Sequence, residues 1–365
     1  MELAAERYGE CIESTSASPL RACVRVRACV RACVRDGADF SVQPHFGHLV
    51  PTKGATVDNR FGKSKDDQVS AFQTAYNTRL HIYRSFKTPT WTSITSGEME
   101  FIASGGILFY SIEPQNWTAW VDWRAAWKIK KFAAAIKAVA PAQVMIAPGY
   151  EPDGHAAESQ NKTNQVYGKA AEYKAMFRNF RNVFAQENVT NAIFVLDLSC
   201  AVRDWEFVLP MLYPGDDVVD WAFFNLFQSQ NQAKEPKPPK HTQGNCTTMF
   251  DQLYAVLNNG VIKNSTIPFG VGAWGTMNQT FGDPKHGYPS QAIPAADREL
   301  CINQVASALS DTQRYARIKA SIYFNSLNSL ISPNPETPFP SSELAPTFQK
   351  MLDLPIFTVN DATSL

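Results

Sequence analysis

The sequence predicts one α/β domain, a (β/α)8 TIM barrel spanning residues 41–355. Three observations lead there. Eight short apolar runs recur along the chain from residue 44 onward, and amphipathic stretches separate them. The runs are nearly continuous in apolar character, as expected of parallel strands buried on both faces. Eight strand–helix units at roughly forty residues each suit a barrel with moderate insertions. The same alternation fits a doubly wound open sheet. However, no GxGxxG follows the first run and no GxxxxGK[ST] occurs, so nucleotide-binding forms of that sheet lose their usual support.

The candidate strands are PHFGHLV (44–50), LHIYRSF (80–86), GGILFYSI (105–112), AQVMIAP (142–148), AIFVLDLS (192–199), VVDWAFFNLF (218–227), IPFGVGAW (267–274) and KASIYFNS (319–326). The first intervening helix, SKDDQVSAFQTAYNT, starts with Ser64 as its N-cap. WVDWRAAWKIKKFAAAIKAV is Ala-rich and amphipathic. GKAAEYKAMFRNFRNVFAQE sets Tyr173, Phe177, Phe180 and Phe184 on one face at helical spacing. TTMFDQLYAVLNN and AADRELCINQVASALS complete the set. Two polar, Pro-containing loops, 228–245 and 329–346, follow strands and so belong on the catalytic face of a barrel.

Composition narrows the partners. Of 365 residues, 44% are hydrophobic and 19% charged, which excludes wholesale disorder. Lys+Arg and Asp+Glu both number 34, so no general electrostatic grip on nucleic acid or an anionic membrane is expected. No run of ~18 apolar residues spans a membrane. The six His show no metal-ligand spacing, so neither metal nor cofactor is expected. Aromatics at 12% point to a ligand with flat apolar faces. The protein is expected to be a monomer.

Residues 1–40 stand apart. Cys23, Cys29 and Cys33 lie in RACVRVRACVRACVR, whose Val-Arg-Ala-Cys unit is the translation of a GTGC tetranucleotide repeat. With neither His nor a paired CxxC, a zinc site is disfavoured, and the segment is set aside from the fold as an unstructured extension. Residues 356–365 read as a tail. Cys200, Cys246 and Cys301 are far apart and odd in number, so no disulfide framework follows. MELAAERYGE has no apolar signal-peptide core, yet sequons start at Asn116, Asn161, Asn188, Asn245, Asn264 and Asn278. They favour secretion, with the secretory start lost from this sequence.

Functional residues in a barrel sit at the C-terminal ends of strands. These ends carry Glu113 after strand three, Glu151, Asp153 and His155 after strand four, Asn225 and Gln228 at strand six, and Asn325 at strand eight. Glu151 follows its strand directly, between Tyr150 and Pro152. A carboxyl there can be raised in pKa by desolvation and serve as a general acid; a helix-capping or ion-paired loop carboxylate is the other reading. Asp216 and Asp217 precede strand six on the opposite face and read as turn residues. Trp117, Trp120, Trp123 and Trp127 follow helical spacing, so most of them pack on the barrel, with Trp117 near enough to the strand-three loop to stack on a ligand. Trp274 is expected to line the cleft.

GYEPDG (149–154), LYPGDDVVDWAFFNLF (212–227), GGILFYSIEP (105–114) and EYKAMFRNFRNVFAQENVTNAIFVLDLS (172–199) resemble segments of glycoside hydrolase family 26, the β-mannanases. The similarity runs over roughly residues 45–330. It implies a clan A barrel acting on mannan-type β-linked polysaccharide, with a carboxylic acid after strand four and a carboxylate nucleophile after strand seven. Glu151 falls on the acid/base position, and Tyr150 on the family's preceding His. The nucleophile position is Ala273, in PFGVGAWG, and the Tyr that hydrogen-bonds the nucleophile falls on Phe227. A methyl group cannot form a glycosyl ester. The resemblance therefore implies the family's fold and argues against its retaining mechanism. An enzyme with a changed mechanism, a silent sugar-binding barrel and a surface glycoprotein all stay open.

Overall fold

The computed structural model describes residues 45–49 and 69–354, except 71, 75, 89–90, 92, 114–115, 159–165, 201–204, 229–245, 261, 263–265, 277–292 and 325–343. At 45–49, 123–124, 205–206, 228 and 324 it describes backbone alone. The Ser64 cap, the first forty residues, Asn325 and nearly all of the two long loops lie outside the described residues.

Eight parallel strands close in sequence order, β1 pairing with both β2 and β8. They are β1 (His45–Leu49), β2 (Ile82–Lys87), β3 (Ile107–Ile112), β4 (Val144–Pro148), β5 (Ala192–Leu198), β6 (Trp221–Gln228), β7 (Phe269–Thr276) and β8 (Ile318–Phe324). Each falls on its expected run to within a few residues. The open-sheet alternative is excluded by closure through β1 and β8.

Among the described residues nine helices have defined bounds: α1 (Ser96–Ala103), α2 (Thr118–Val121), α3 (Trp123–Ala138), α4 (Pro152–His155), α5 (Ala170–Gln186), α6 (Trp205–Leu212), α7 (Cys246–Asn259), α8 (Ala295–Ser310) and α9 (Ala345–Leu352). Tyr173, Phe177, Phe180 and Phe184 are all buried on α5, as its periodicity predicts. The Trp-rich stretch is two helices rather than one. Asp122 adopts an extended backbone, ψ 146°, and breaks the helical phase between α2 and α3. Trp117 and Trp120 therefore pack inward while Trp127 is left 53% exposed.

Strand periodicity sorts side chains into two cores. One set packs outward under the helices; the other fills the barrel. Inside, Phe109 stacks on Phe223 at 5.2 Å, and Phe223 occupies the space that a side chain at Gly270 would take. A Cβ on Gly270 would stand 1.7 Å from the Phe223 ring, so the floor closes only because β7 carries glycine there. The barrel is thus a packed core and not a pore.

One cross-link overturns a sequence expectation. Cys246 on α7 and Cys301 on α8 form a disulfide, with Cα atoms 5.2 Å apart. Separation along the chain hides this pairing, because adjacent barrel helices bring residues 55 apart into contact. On the N-terminal side of the barrel, Asp217 accepts two hydrogen bonds from Arg178, at 2.7 and 2.8 Å, and Tyr213 donates to Asp216. These carboxylates serve the turn before β6.

Candidate active site

Two residues beyond four of the inward-facing core residues, the strands change from apolar to polar. Arg84 follows Ile82, Ser111 follows Phe109, Asp197 follows Val195 and Asn225 follows Phe223, all on the interior face. Arg84 is 1% exposed and ties four strands together. Its Nε donates to Ser111 Oγ at 2.8 Å, its Nη1 to the Gly272 carbonyl at 2.9 Å, and its Nη2 forms an ion pair with Asp197. The guanidinium also lies 4.7 Å from the Phe109 ring centroid and 5.0 Å from that of Phe86. An ionic layer therefore rests directly on the aromatic floor.

Glu151 stands above this layer. The chain leaves β4 through Gly149, at φ +66°, where a Cβ would crowd Met176 Cε at 2.9 Å. Glu151 itself is left-handed, φ 53° and ψ 46°, a conformation that costs a non-glycine residue on the order of 1–3 kcal/mol. Its amide donates to the Asp197 carbonyl at 2.8 Å, which anchors the turn to β5. Its carboxylate accepts a 2.7 Å hydrogen bond from Asn225 Nδ2. Burial and then the nearby Asp153 carboxylate raise its pKa, while Arg84, His155 and Asn225 pull against them. The net shift is upward, the direction a proton donor needs.

Two further carboxyls share this ground. Asp153 accepts from Ser199 N at 2.8 Å, Ser199 Oγ at 3.0 Å and Cys200 N at 2.7 Å, yet burial still raises it. Burial pushes Asp197 up to about 7 against the pull of Arg84, with Glu151 and Asp153 adding to the rise. Among the described residues the Oδ1 atoms of Asp197 and Asn225 have no hydrogen-bond partner, and both would lie 3.0 Å from a Cβ on Gly272. Any larger side chain at 272 would push into this cluster.

The rim on the β2–β4 side is a row of partly exposed rings. Phe86 meets Tyr150 edge-on at 4.9 Å, Tyr150 faces His155 at 6.5 Å, and His155 stacks on Tyr167 at 4.4 Å. Tyr167 donates to Glu113 Oε1 at 2.7 Å. The Tyr150 phenol is raised by burial and then by the charges of Glu113 and Glu151, so both carboxyls face it.

Glu151, Tyr150, Asn225 and Glu113 are thus brought together at one mouth. Ala273, 3% exposed, stands level with Asn225 in the β6/β7 register, where a bulge at Phe224/Asn225 shifts the pairing. Phe227 is partly exposed one pleat further on. The two tryptophans are corrections. Trp274 is fully buried and points outward, against Tyr323 at 5.1 Å and Phe348 of α9 at 6.2 Å. Trp117 is also fully buried, against Tyr173 at 5.1 Å. Neither offers a ring face to a ligand. Asn225 engages Glu151 through Nδ2 and leaves its Oδ1 without a partner among the described residues. Sequence reasoning missed Arg84, Asp197 and Tyr167. A lone Arg and a lone Asp inside apolar strands were the available signal for the first two; Tyr167 carries none.

No family profile matches the chain, and no curated protein matches it in sequence. Solved structures do match. The catalytic domain of a family 26 endo-β-1,4-mannanase from Bacillus sp. JAMB-750 superposes with a TM-score of 0.60 at 15% identity, covering 87% of this chain and 88% of that one. A family 26 β-mannanase from Bacteroides ovatus gives 0.56 at 14%, covering 89% and 92%. The family 26 domain of a Prevotella bryantii endo-β-mannanase/endo-β-glucanase gives 0.55 at 12%, covering 94% and 96%. The fold is that of the family 26 barrel.

Proposed function

We propose that the mouth above Arg84 binds a β-linked polysaccharide of the mannan type, with Glu151 as the proton donor to the glycosidic oxygen. One observation carries this reading: a carboxyl at the end of β4, held by Asn225 and raised in pKa by burial, on a fold shared with β-mannanases. The rings of Phe86, Tyr150 and Tyr167 supply stacking faces in place of the two buried tryptophans.

The retaining route is closed in this proposal. It needs two carboxyls about 5–5.5 Å apart, one of them a nucleophile. Ala273 occupies the position that the resemblance assigns to that group, and Phe227 lacks the hydroxyl that would orient it. The route left open is direct displacement. Glu151 protonates the leaving oxygen, the C1–O bond breaks, and a water attacks C1 from the opposite face. That water gives its proton to Glu113. Such a pair works at about 6.5–9.5 Å, with inversion at C1. A second reading, a silent sugar-binding barrel, is favoured by Ala273 and Phe227 together.

Titration with mannan, glucan and xylan oligomers tests binding; no heat with any of them sinks the proposal. Product release followed by NMR at the anomeric carbon then separates the readings. Inverted product that is lost in Glu151→Gln supports the enzyme. Binding without turnover supports the silent barrel. Ordinary mannan hydrolysis with retention, abolished by Glu151→Ala, shows that Ala273 is not the nucleophile position. The Cys246–Cys301 disulfide and the exposed sequon residues Asn116 and Asn188 support secretion. No described helix is long and apolar enough to cross a membrane.

A further inference from the structure

The outer wall of the barrel carries an aromatic surface that the mouth does not use. Trp127 lies in the second turn of α3, the helix that runs down from the mouth after β3, and is 53% exposed. Lys131 Nζ is 4.8 Å and Lys128 Nζ 5.8 Å from its ring centroid. Lys128 also lies 5.7 Å from the centroid of Trp120, which is stacked on Phe180 and so fixed. The other lysines of this helix face are engaged. Lys130 pairs with Glu187 at 3.0 Å, and Lys137 donates to the Glu187 carbonyl at 2.7 Å. Among the described residues, Lys128 and Lys131 have no acidic partner.

The half-exposed indole presents a flat apolar face that a ligand would cover. The helix break at Asp122 explains how it comes to face out but gives it nothing to pack on. Two ammonium groups set over a half-exposed indole, with no acidic partner among the described residues, make a surface selective for an anion with an apolar face. A hexuronate ring has both: axial C–H bonds on one face to stack on the indole, and a C6 carboxylate at the ring edge for the lysines.

We propose that Trp127, Lys128 and Lys131 form a surface site for a uronate-bearing glycan, separate from the barrel mouth. The site does not depend on what the mouth binds or whether it turns substrate over. It would hold an acidic polysaccharide strand on the outside of the barrel while a neutral strand occupies the cleft.

The test uses the full chain and the indole N–H signal of Trp127, assigned by its loss in Trp127→Phe. Tetragalacturonate should shift that signal saturably. Mannotetraose at the same concentration should leave it in place. Lys128→Ala with Lys131→Ala should weaken tetragalacturonate binding roughly tenfold, and raising the salt should weaken it in the parent alone. Trp127→Ala should abolish binding with an unchanged melting temperature, because the side chain is exposed. Three results overturn the proposal: no shift with tetragalacturonate, an equal shift with mannotetraose, or an equally tight response to a short oligothymidylate, which would mark a general polyanion surface.

Discussion

Asp197→Asn tests the electrostatics of the ionic layer through the sign of one slope. Asp197 is fully buried and paired with Arg84, which by itself would hold the carboxylate ionised. Desolvation, Glu151 and Asp153 oppose this, and the balance lies at about 7, against 3.8 for an ordinary aspartate. The native state therefore binds a proton between those values that the unfolded chain releases. Stability from this group is complete below pH ~4 and is lost as pH rises to about 7. A rise of about three units corresponds to roughly 4 kcal/mol. Asparagine cannot ionise and keeps the shape. The cost of Asp197→Asn should therefore shrink by up to that amount between pH 4 and pH 8. At about 2.1 cal/mol/K of unfolding entropy per residue, a barrel of ~320 residues moves about 1.5 °C per kcal/mol. The melting curves of parent and variant should converge, or cross, by roughly 6 °C over that range. The assay is calorimetry of both proteins at half-unit pH steps. A cost that grows with pH would show that the Arg84 ion pair outweighs burial and would refute the reasoning.

Removing the cation instead, by Arg84→Met, breaks bonds to Ser111, Gly272 and Asp197 together and should cost about 3–5 kcal/mol by urea unfolding at pH 7. Trp274→Ala should lose about 3–5 kcal/mol of stability by cavity formation while sugar affinity per folded molecule stays unchanged; an affinity loss in stably folded protein would return Trp274 to the cleft. Cys246→Ala with Cys301→Ala opens a loop of 55 residues and should cost about 4 kcal/mol by loop entropy, with peptide mapping under non-reducing conditions checking the native pairing. Asn225→Ala should leave the Glu151 carboxylate without its 2.7 Å donor and raise its pKa further, seen as an upward move of the Glu151 carboxyl titration by NMR.

The eight strands and most helices were legible because burial on both faces of a parallel sheet writes a continuous apolar run. Helical periodicity likewise wrote the aromatic face of α5. Glu151 was legible too, since a carboxylate just past an apolar strand is an unusual local pattern. What the sequence could not express was the direction of side chains after a phase change. Trp117 and Trp274 look equally available on paper. Burial of one against Tyr173, and of the other under α9, depends on packing between segments far apart in the chain. Trp127 escaped burial only because Asp122 interrupts the helix. The Cys246–Cys301 bridge, the Arg84–Asp197 pair and the Tyr167–Glu113 bond share the same origin. Each joins residues more than fifty positions apart, and only barrel closure brings them within bonding distance. Local composition determined which elements form, whereas ring closure decided which polar groups meet at the mouth.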